Sequence, residues 1–286
     1  MPNFGIDISS EDIAFYRAHG WWVSGAILSD ELLDNLVYAV ARYAVGEADR
    51  PLPKPILPRW TGAPERGVRQ ADYLSLQLNT VLEFVCAPPL PQFACALSGA
   101  TEVRLFHDQL IWKEPGGLGA QASVGWHTDR AYWQSCTSEQ MLTAWIPLQD
   151  TTAEMGSLAV WDASHLWANT DDLHTFDQPD LQRLEDLARA RNQAPKILVL
   201  PLRRGQVSFH HCRLVHGSYP NRTLTPRLAF AIHYQDGNNQ HTARTNWSRG
   251  AIHLNDMLCR SRPDGLPDYS DPDICPMLYS LPDEST

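Results

Sequence analysis

The amino-acid sequence predicts a single α+β domain, mainly β, built on a β-sandwich or barrel. Three observations predict it. Helical periodicity dominates the first third of the chain. From residue 102 the period shortens, and six strand-like runs follow one another. The composition, with 43% hydrophobic and 20% charged residues in 286, is that of an ordinary globular domain, neither disordered nor collagen-like.

The helical part spans about 9–98. Residues 9–19, SSEDIAFYRAH, predict a capped helix, with Ser9 or Ser10 as N-cap, acids in the first turn and Gly20 as its stop. A strand-like WWVSGAIL follows, then a helical run to about Val45 with Leu32, Leu33, Leu36, Val37 and Val40 at helical spacing. Residues 46–70 carry five prolines and predict a long loop, the kind of segment that can act as a lid. Residues 71–98 predict helix again, interrupted at Pro88-Pro89. The β core spans about 102–235, with strands at 102–113, 141–148, 157–161, 196–200, 206–210 and 227–234. EPGG, Gln149-Asp150, Arg204-Gly205 and NRTLTP supply the turn chemistry between them. Residues 163–195 predict a polar, partly helical insertion, and the Asp- and Pro-rich tail 236–286 predicts loops over the core.

Charge and cysteines exclude several classes. The formal charge of -10, with no basic cluster, disfavours nucleic acid, an anionic membrane and a polyanionic substrate such as an acyl-CoA. The apolar run Trp21 to Leu28 is too short to span a bilayer, and MPNFGIDISSED does not look like a signal peptide. The six cysteines form no C-x-x-C pair, so reduced thiols in a cytoplasmic protein are expected. Oligomeric state is not legible.

The chemistry centres on Gly125-Trp126-His127-Thr128-Asp129. In an extended segment residues two apart project to the same side, so His127 and Asp129 can hold one cation. Two histidines and a carboxylate on one face of a metal are the non-haem Fe(II) oxygenase pattern, the opposite face staying open. H-x-D alone has only two fixed positions and can arise by chance among 11 histidines. The stretch GQVSFHHCRLVHGSYPNRTLTPRLAFAIHY adds His216, Ser218 and Arg227. His216 is a candidate third ligand, with His210 and His211 as its rivals. A buried Arg227 requires an anionic partner: either a protein acid or the carboxylate of a dicarboxylate co-substrate, to which Ser218 can also donate.

Several segments together resemble the phytanoyl-CoA dioxygenase family of Fe(II)/2-oxoglutarate oxygenases: LFHDQLIWKEPGG, VGWHTD, TAWIPLQDTTAEMGSLAVWDASH and the distal His/Arg stretch. Asp162-Ala163 departs from the family's Pro-Gly before Ser164-His165. The resemblance covers 102–235 well and 10–280 loosely. It implies a double-stranded β-helix (jelly roll, cupin-like) with the N-terminal helices packed on one sheet. It implies iron held by His127, Asp129 and His216, and 2-oxoglutarate held by Arg227 and Ser218. Lys113 and Gln109, which share a strand face, fall where the family often has side chains near the co-substrate; for Lys113 a solvated strand end is the other reading. Trp145 is expected to wall the co-substrate pocket or to be ordinary core. The family activity consumes O2 and releases succinate and CO2. An Asp at 129, where related halogenases have a small residue, argues for hydroxylation or another ordinary oxidation.

The substrate is the open part. Arg130, Tyr132, Trp133 and Trp247 are the candidate contacts, with a surface role for Arg130 and core roles for the tryptophans as alternatives. Trp133 falls where ectoine hydroxylases carry a Trp, but the rest of that group's signature is missing. Aromatic faces suit sugar rings and apolar scaffolds, so hydroxylation or oxidative cyclisation of a secondary metabolite or glycoside is expected, including orthoester closure of the kind some family members perform on sugar antibiotics. The alternative is a metal-binding cupin-like isomerase or lyase that does not use 2-oxoglutarate. Such an enzyme has no need of the Arg227–Ser218 pair.

Overall fold

The structure, a computed structural model, describes residues 6–61, 67–116, 123–171, 173–191, 193–242 and 253–282. Ser9 caps α1 (Ser10–His19) in a reciprocal capping box with Asp12, and Gly20 ends it in the left-handed region at φ 77°. β1 (Trp21–Val23) follows, and Ser29 caps α2 (Asp30–Ala44). Next come β2 (Val68–Asp72), α3 (Asn79–Cys86), α4 (Leu90–Ser98) and the long β3 (Glu102–Lys113). β4 (Val124–His127) leads into one helical turn, α5 (Asp129–Tyr132). β5 (Leu142–Pro147), β6 (Ala159–Trp161), α6 (Leu181–Ala190), β7 (Ile197–Val199), β8 (Ser208–His211), β9 (His216–Ser218), β10 (Arg227–Asp236), α7 (Asn255–Leu258) and β11 (Met277–Ser280) complete the chain.

The strands form two antiparallel sheets in the jelly-roll arrangement. One runs β1-β8-β5-β10-β3-β11 with β2 also on β3, and the other runs β4-β9-β6-β7. Alternation along β10 sorts its two faces. Phe230, Ile232 and Tyr234 join Leu33, Leu36, Phe84 and Phe93 in the large core under the helices. Ala229 belongs instead to the cluster between the sheets with Trp145, Leu158 and Leu214. Burying one such Phe or Leu stabilises the fold by about 1.5–3 kcal/mol. Phe230 is fully buried and edge-on to Phe84 at 6.0 Å, and truncation to Ala is expected to cost about 3–5 kcal/mol.

The helices at Ser10–His19 and Asp30–Ala44 and the long strand at 102–113 stand as the sequence predicts. Four readings are corrected. Residues 68–70 are not loop and 71–72 not helix, because Val68–Asp72 pairs antiparallel with β3. Helix resumes only at Asn79, after a turn in which Tyr73 adopts φ 56°. Only Trp21–Val23 of WWVSGAIL is strand. The tail is not all loop, since Met277–Ser280 adds an edge strand to β3 and Asn255–Leu258 is helical. Of the proposed lid, 62–66 lies outside the described residues, while Thr61 bridges Gln70 and Arg59 donates to the Tyr43 and Glu47 carbonyls. No single helix among the described residues is long and apolar enough to cross a membrane.

Candidate metal centre

His127 is the last residue of β4 and His216 the first of β9, and the two are register partners. Their rings lie 4.2 Å apart. Glycine makes this approach possible. A Cβ on Gly217 would lie 2.7 Å from the Val124 carbonyl oxygen, and one on Gly125 would lie 1.8 Å from that of Thr175. Asp129 is not on the strand, contrary to the extended H-x-D reading. Thr128 caps α5 by accepting from Ala131 N–H, and Asp129 opens the helical turn. The turn still brings its carboxylate to the two imidazoles: one ligand atom from each of His127, Asp129 and His216 lies within 4.8 Å of the others.

Each imidazole is oriented from behind. His127 Nδ1 lies 2.7 Å from the Gly125 carbonyl and His216 Nδ1 lies 3.0 Å from that of Leu214. A carbonyl only accepts, so Nδ1 carries the proton and Nε2 offers its lone pair to the centre. Burial pushes both imidazoles below their ordinary pKa, which keeps them neutral. Burial works the other way on Asp129, but His216, His210 and His233 outweigh it and hold the carboxyl well below its usual range. Two neutral imidazoles and one ionised carboxylate are the donor states a divalent cation requires.

On one side of this triad two cations are buried together. Arg227 and Lys113 are register partners on β10 and β3, 1% and 0% exposed. Lys113 is therefore not a solvated strand end. Its Nζ donates to Ser218 Oγ at 2.7 Å and to the Tyr219 carbonyl at 2.5 Å. Ser218 Oγ, having accepted from the lysine, keeps its own hydrogen to donate. Arg227 Nε and Nη1 have no hydrogen-bond partner, and the guanidinium stands 5.5 Å from the centre of the Trp145 ring. Among the described residues neither side chain has an acid within ion-pair distance, so no described acid supports the protein-acid reading of Arg227. Burial lowers the Arg227 pKa to about 10, and burial with Arg227 alongside drives Lys113 well below its ordinary range. Arg227, Ser218, Trp145 and Gln109 line one cavity with the triad. Such a cavity is electrostatically incomplete without an anion, and a carboxylate matches both the fork of Arg227 and the free Ser218 hydrogen.

On the other side lies a chamber of about 300 Å³, lined by Gln70, Asp72, Gln109, Phe176, Asp177 and histidines 107, 233 and 253, among others. Tyr132 and Trp133 line it; Arg130 does not, its Nη1 donating to the Ser138 carbonyl at 3.0 Å. Trp247 lies outside the described residues. Gln109 spans both cavities, with Nε2 donating to Asp72 Oδ1 at 2.8 Å. Of the rival histidines, His211 turns toward His165 and accepts from Arg213 N–H. His210 reaches the triad from β8, its Nε2 3.5 Å from Asp129 Oδ2, without joining the three-ligand group. Asp72, His107, His233 and Phe176 were not singled out as site residues. The only signal for His107 and His233 was a histidine inside an otherwise apolar strand.

The phytanoyl-CoA dioxygenase model matches residues 40–229, about two thirds of the chain. A probable alpha-ketoglutarate-dependent hypophosphite dioxygenase of Stutzerimonas stutzeri is 28% identical over 140 residues, 46% of this chain and 45% of that protein. The chain spans about half the length of the curated relatives it matches. Among solved structures, the non-heme alpha ketoglutarate dependent carbocyclase SnoK from nogalamycin biosynthesis superposes with a TM-score of 0.72 at 24% identity, covering 95% of this chain and 96% of that one. The epimerase SnoN, in complex with Fe3+, alpha ketoglutarate and nogalamycin RO, superposes with a TM-score of 0.67 at 22% identity, covering 94% and 98%. These structures share the jelly-roll fold.

Proposed function

The chain belongs to the phytanoyl-CoA dioxygenase family, and on that premise we propose that it is an Fe(II)- and 2-oxoglutarate-dependent oxygenase acting on a small molecule. The observation that carries the proposal is the buried Arg227, whose Nε and Nη1 have no hydrogen-bond partner among the described residues, in one cavity with the His127–Asp129–His216 triad. A cupin-like isomerase or lyase without a dicarboxylate would leave Arg227 and Lys113 with no counter-charge. His127, Asp129 and His216 would hold the iron, and Arg227 with Ser218 would hold the far carboxylate of 2-oxoglutarate. When bound, the metal and co-substrate consume O2 and oxidise a nearby substrate C–H, releasing succinate and CO2. The residues of the chain supply position and dryness: Trp145, Leu158 and Val124 wall the co-substrate cavity, and Phe176 stands between it and the chamber.

For the substrate we favour a neutral or amine-bearing ring compound, such as a glycoside or another secondary metabolite. Tyr132, Trp133 and Phe176 offer aromatic surface, Asp72 and Asp177 offer acceptors, and no Lys or Arg is among the described lining residues. That lining suits a small oxyanion such as hypophosphite poorly. The carbocyclase and epimerase of nogalamycin biosynthesis are consistent with a role in antibiotic biosynthesis. All six cysteines are free thiols, which supports the cytoplasm as the compartment. The test is anaerobic addition of Fe(II) and 2-oxoglutarate. The visible charge-transfer band of the chelate is expected with the unaltered protein and lost or strongly weakened in Arg227→Ala. Absence of the band from the unaltered protein refutes the proposal.

A further inference from the structure

Four polar side chains cross the larger sheet in one transverse row. His210 on β8 is the register partner of Thr143 on β5, Thr143 of His233 on β10, and His233 of His107 on β3. All four are buried. A row of this kind in a sheet interior is costly unless its polar groups are satisfied, so its partners indicate its use.

His107 turns to Asp72, its Nε2 3.1 Å from Oδ1, while the other three converge on one atom. Thr143 Oγ1 lies 2.6 Å from Asp129 Oδ2 and 2.7 Å from His233 Nδ1. A hydroxyl has one hydrogen and an ionised carboxylate only accepts. Thr143 therefore donates to Asp129 and accepts from His233, which fixes the proton of that imidazole on Nδ1. On the opposite flank His210 Nε2 lies 3.5 Å from the same Oδ2, and neither ring nitrogen of His210 has a hydrogen-bond partner. The other carboxylate oxygen, Oδ1, faces the triad, 3.6 Å from His216 Nε2. The two oxygens of Asp129 thus have separate surroundings.

We propose that the His210–Thr143–His233 row is a positioning cradle that holds Asp129 by Oδ2, so that Oδ1 alone is presented to the metal. The idea rests on the metal reading of the triad. A carboxylate can grip a cation with one oxygen or with both. A two-oxygen grip fills a coordination position that co-substrate or O2 needs, and the cradle prevents it by engaging Oδ2 from the sheet side. Thr143 and His233 form the hydrogen-bonded arm, and His210 flanks the same oxygen at 3.5 Å. None of the three touches the reacting atoms; each acts through Asp129.

The experiment uses the metal-free full chain titrated anaerobically with Co(II), whose visible absorption reports coordination. Thr143→Val keeps the shape and removes the hydroxyl. It is expected to weaken Co(II) binding about 10–100-fold, the range found when groups behind metal ligands are removed, and to alter the absorption spectrum. Thr143→Ser is expected to restore both. His210→Phe, which leaves the hydrogen-bonded arm intact, is expected to lower affinity less than tenfold while still shifting the spectrum. Circular dichroism verifies folding, and should Thr143→Val not fold, His233→Leu reads the same arm from its far end. Wild-type affinity and an unchanged spectrum in a folded Thr143→Val or His233→Leu overturn the cradle alone. If the unaltered protein takes up no Co(II), the metal reading itself fails and the cradle with it.

Discussion

The two sides of the triad are opposite in charge. Toward β10 and β9 stand Arg227 and Lys113, buried with no acid beside them among the described residues; toward β2 stands Asp72, with Asp177 across the same chamber. Both ends are walled by aromatic rings, so apolar surface does not distinguish them. Charge does. An anion gains a guanidinium and the Ser218 hydroxyl at one end and meets two carboxylates at the other. On the proposed function, charge would sort two small molecules around one site, the keto-dicarboxylate toward the cationic end and the substrate toward the acidic one.

The largest effect is expected where the two ends meet. Asp129→Ala or His216→Ala removes a ligand that both sides depend on. Metal retention after dialysis and 2-oxoglutarate-dependent succinate release should both fall below detection, and stoichiometric iron in either variant would separate the triad from the chemistry. Next is Arg227→Ala, which should act at one end only. Losing a buried charged partner costs about 2–4 kcal/mol, roughly a 30- to 1000-fold rise in the 2-oxoglutarate dissociation constant. Co(II) affinity should stay within about twofold, as measured by titration, and Arg227→Lys should not rescue, because an ammonium lacks the planar fork.

Acid should act on the imidazoles rather than on either end. Burial lowers His233 and His211 to about 3. The unfolded chain, with histidines near 6.5, takes protons that the fold refuses. The stability they contribute is therefore complete above pH 6.5 and lost as pH falls toward 3. Denaturant titrations of the metal-free protein should show a loss of about 1–1.4 kcal/mol per pH unit for each histidine below pH 6. A flat profile between pH 6.5 and 5 contradicts the neutral buried imidazoles. The smallest effect on co-substrate is expected from Asp72→Asn at the acidic end: 2-oxoglutarate and Co(II) affinities within about twofold of wild type, with the change confined to substrate-triggered turnover. A tenfold loss of 2-oxoglutarate affinity there would show that the ends are not independent.

The proposed ligands were legible through the family resemblance: H-x-D alone can arise by chance, and His216 stood out from His210 and His211 by its spacing to Ser218 and Arg227. The stop at Gly20 and a cap at Ser9 or Ser10 were legible from local chemistry, and the structure takes Ser9. Three features were not. VRQAD has no strand signature, and β2 forms because β3 offers it an edge, a tertiary cause with no local trace. Ser218 and Lys113 were each placed near the co-substrate, but their contact joins residues 105 positions apart. The His210–Thr143–His233 row exists only as register between strands, and register appears once the sheets are assembled.

The Gly125 contact has a consequence for how new specificities arise. Its N–H donates to the Phe176 carbonyl at 2.9 Å, and its bare α-carbon lets the backbone of 175–178 sit directly on the metal-bearing strand. The segment is thereby clipped onto β4 largely through main-chain atoms, and the side chains it must keep are Thr175, whose Oγ1 donates to the Trp126 carbonyl, and Phe176, whose ring stands 4.9 Å from that of His127. Grafting the equivalent stretch from another oxygenase should retain the iron and exchange the clientele, so evolution or an engineer has here a replaceable facing on a fixed hearth.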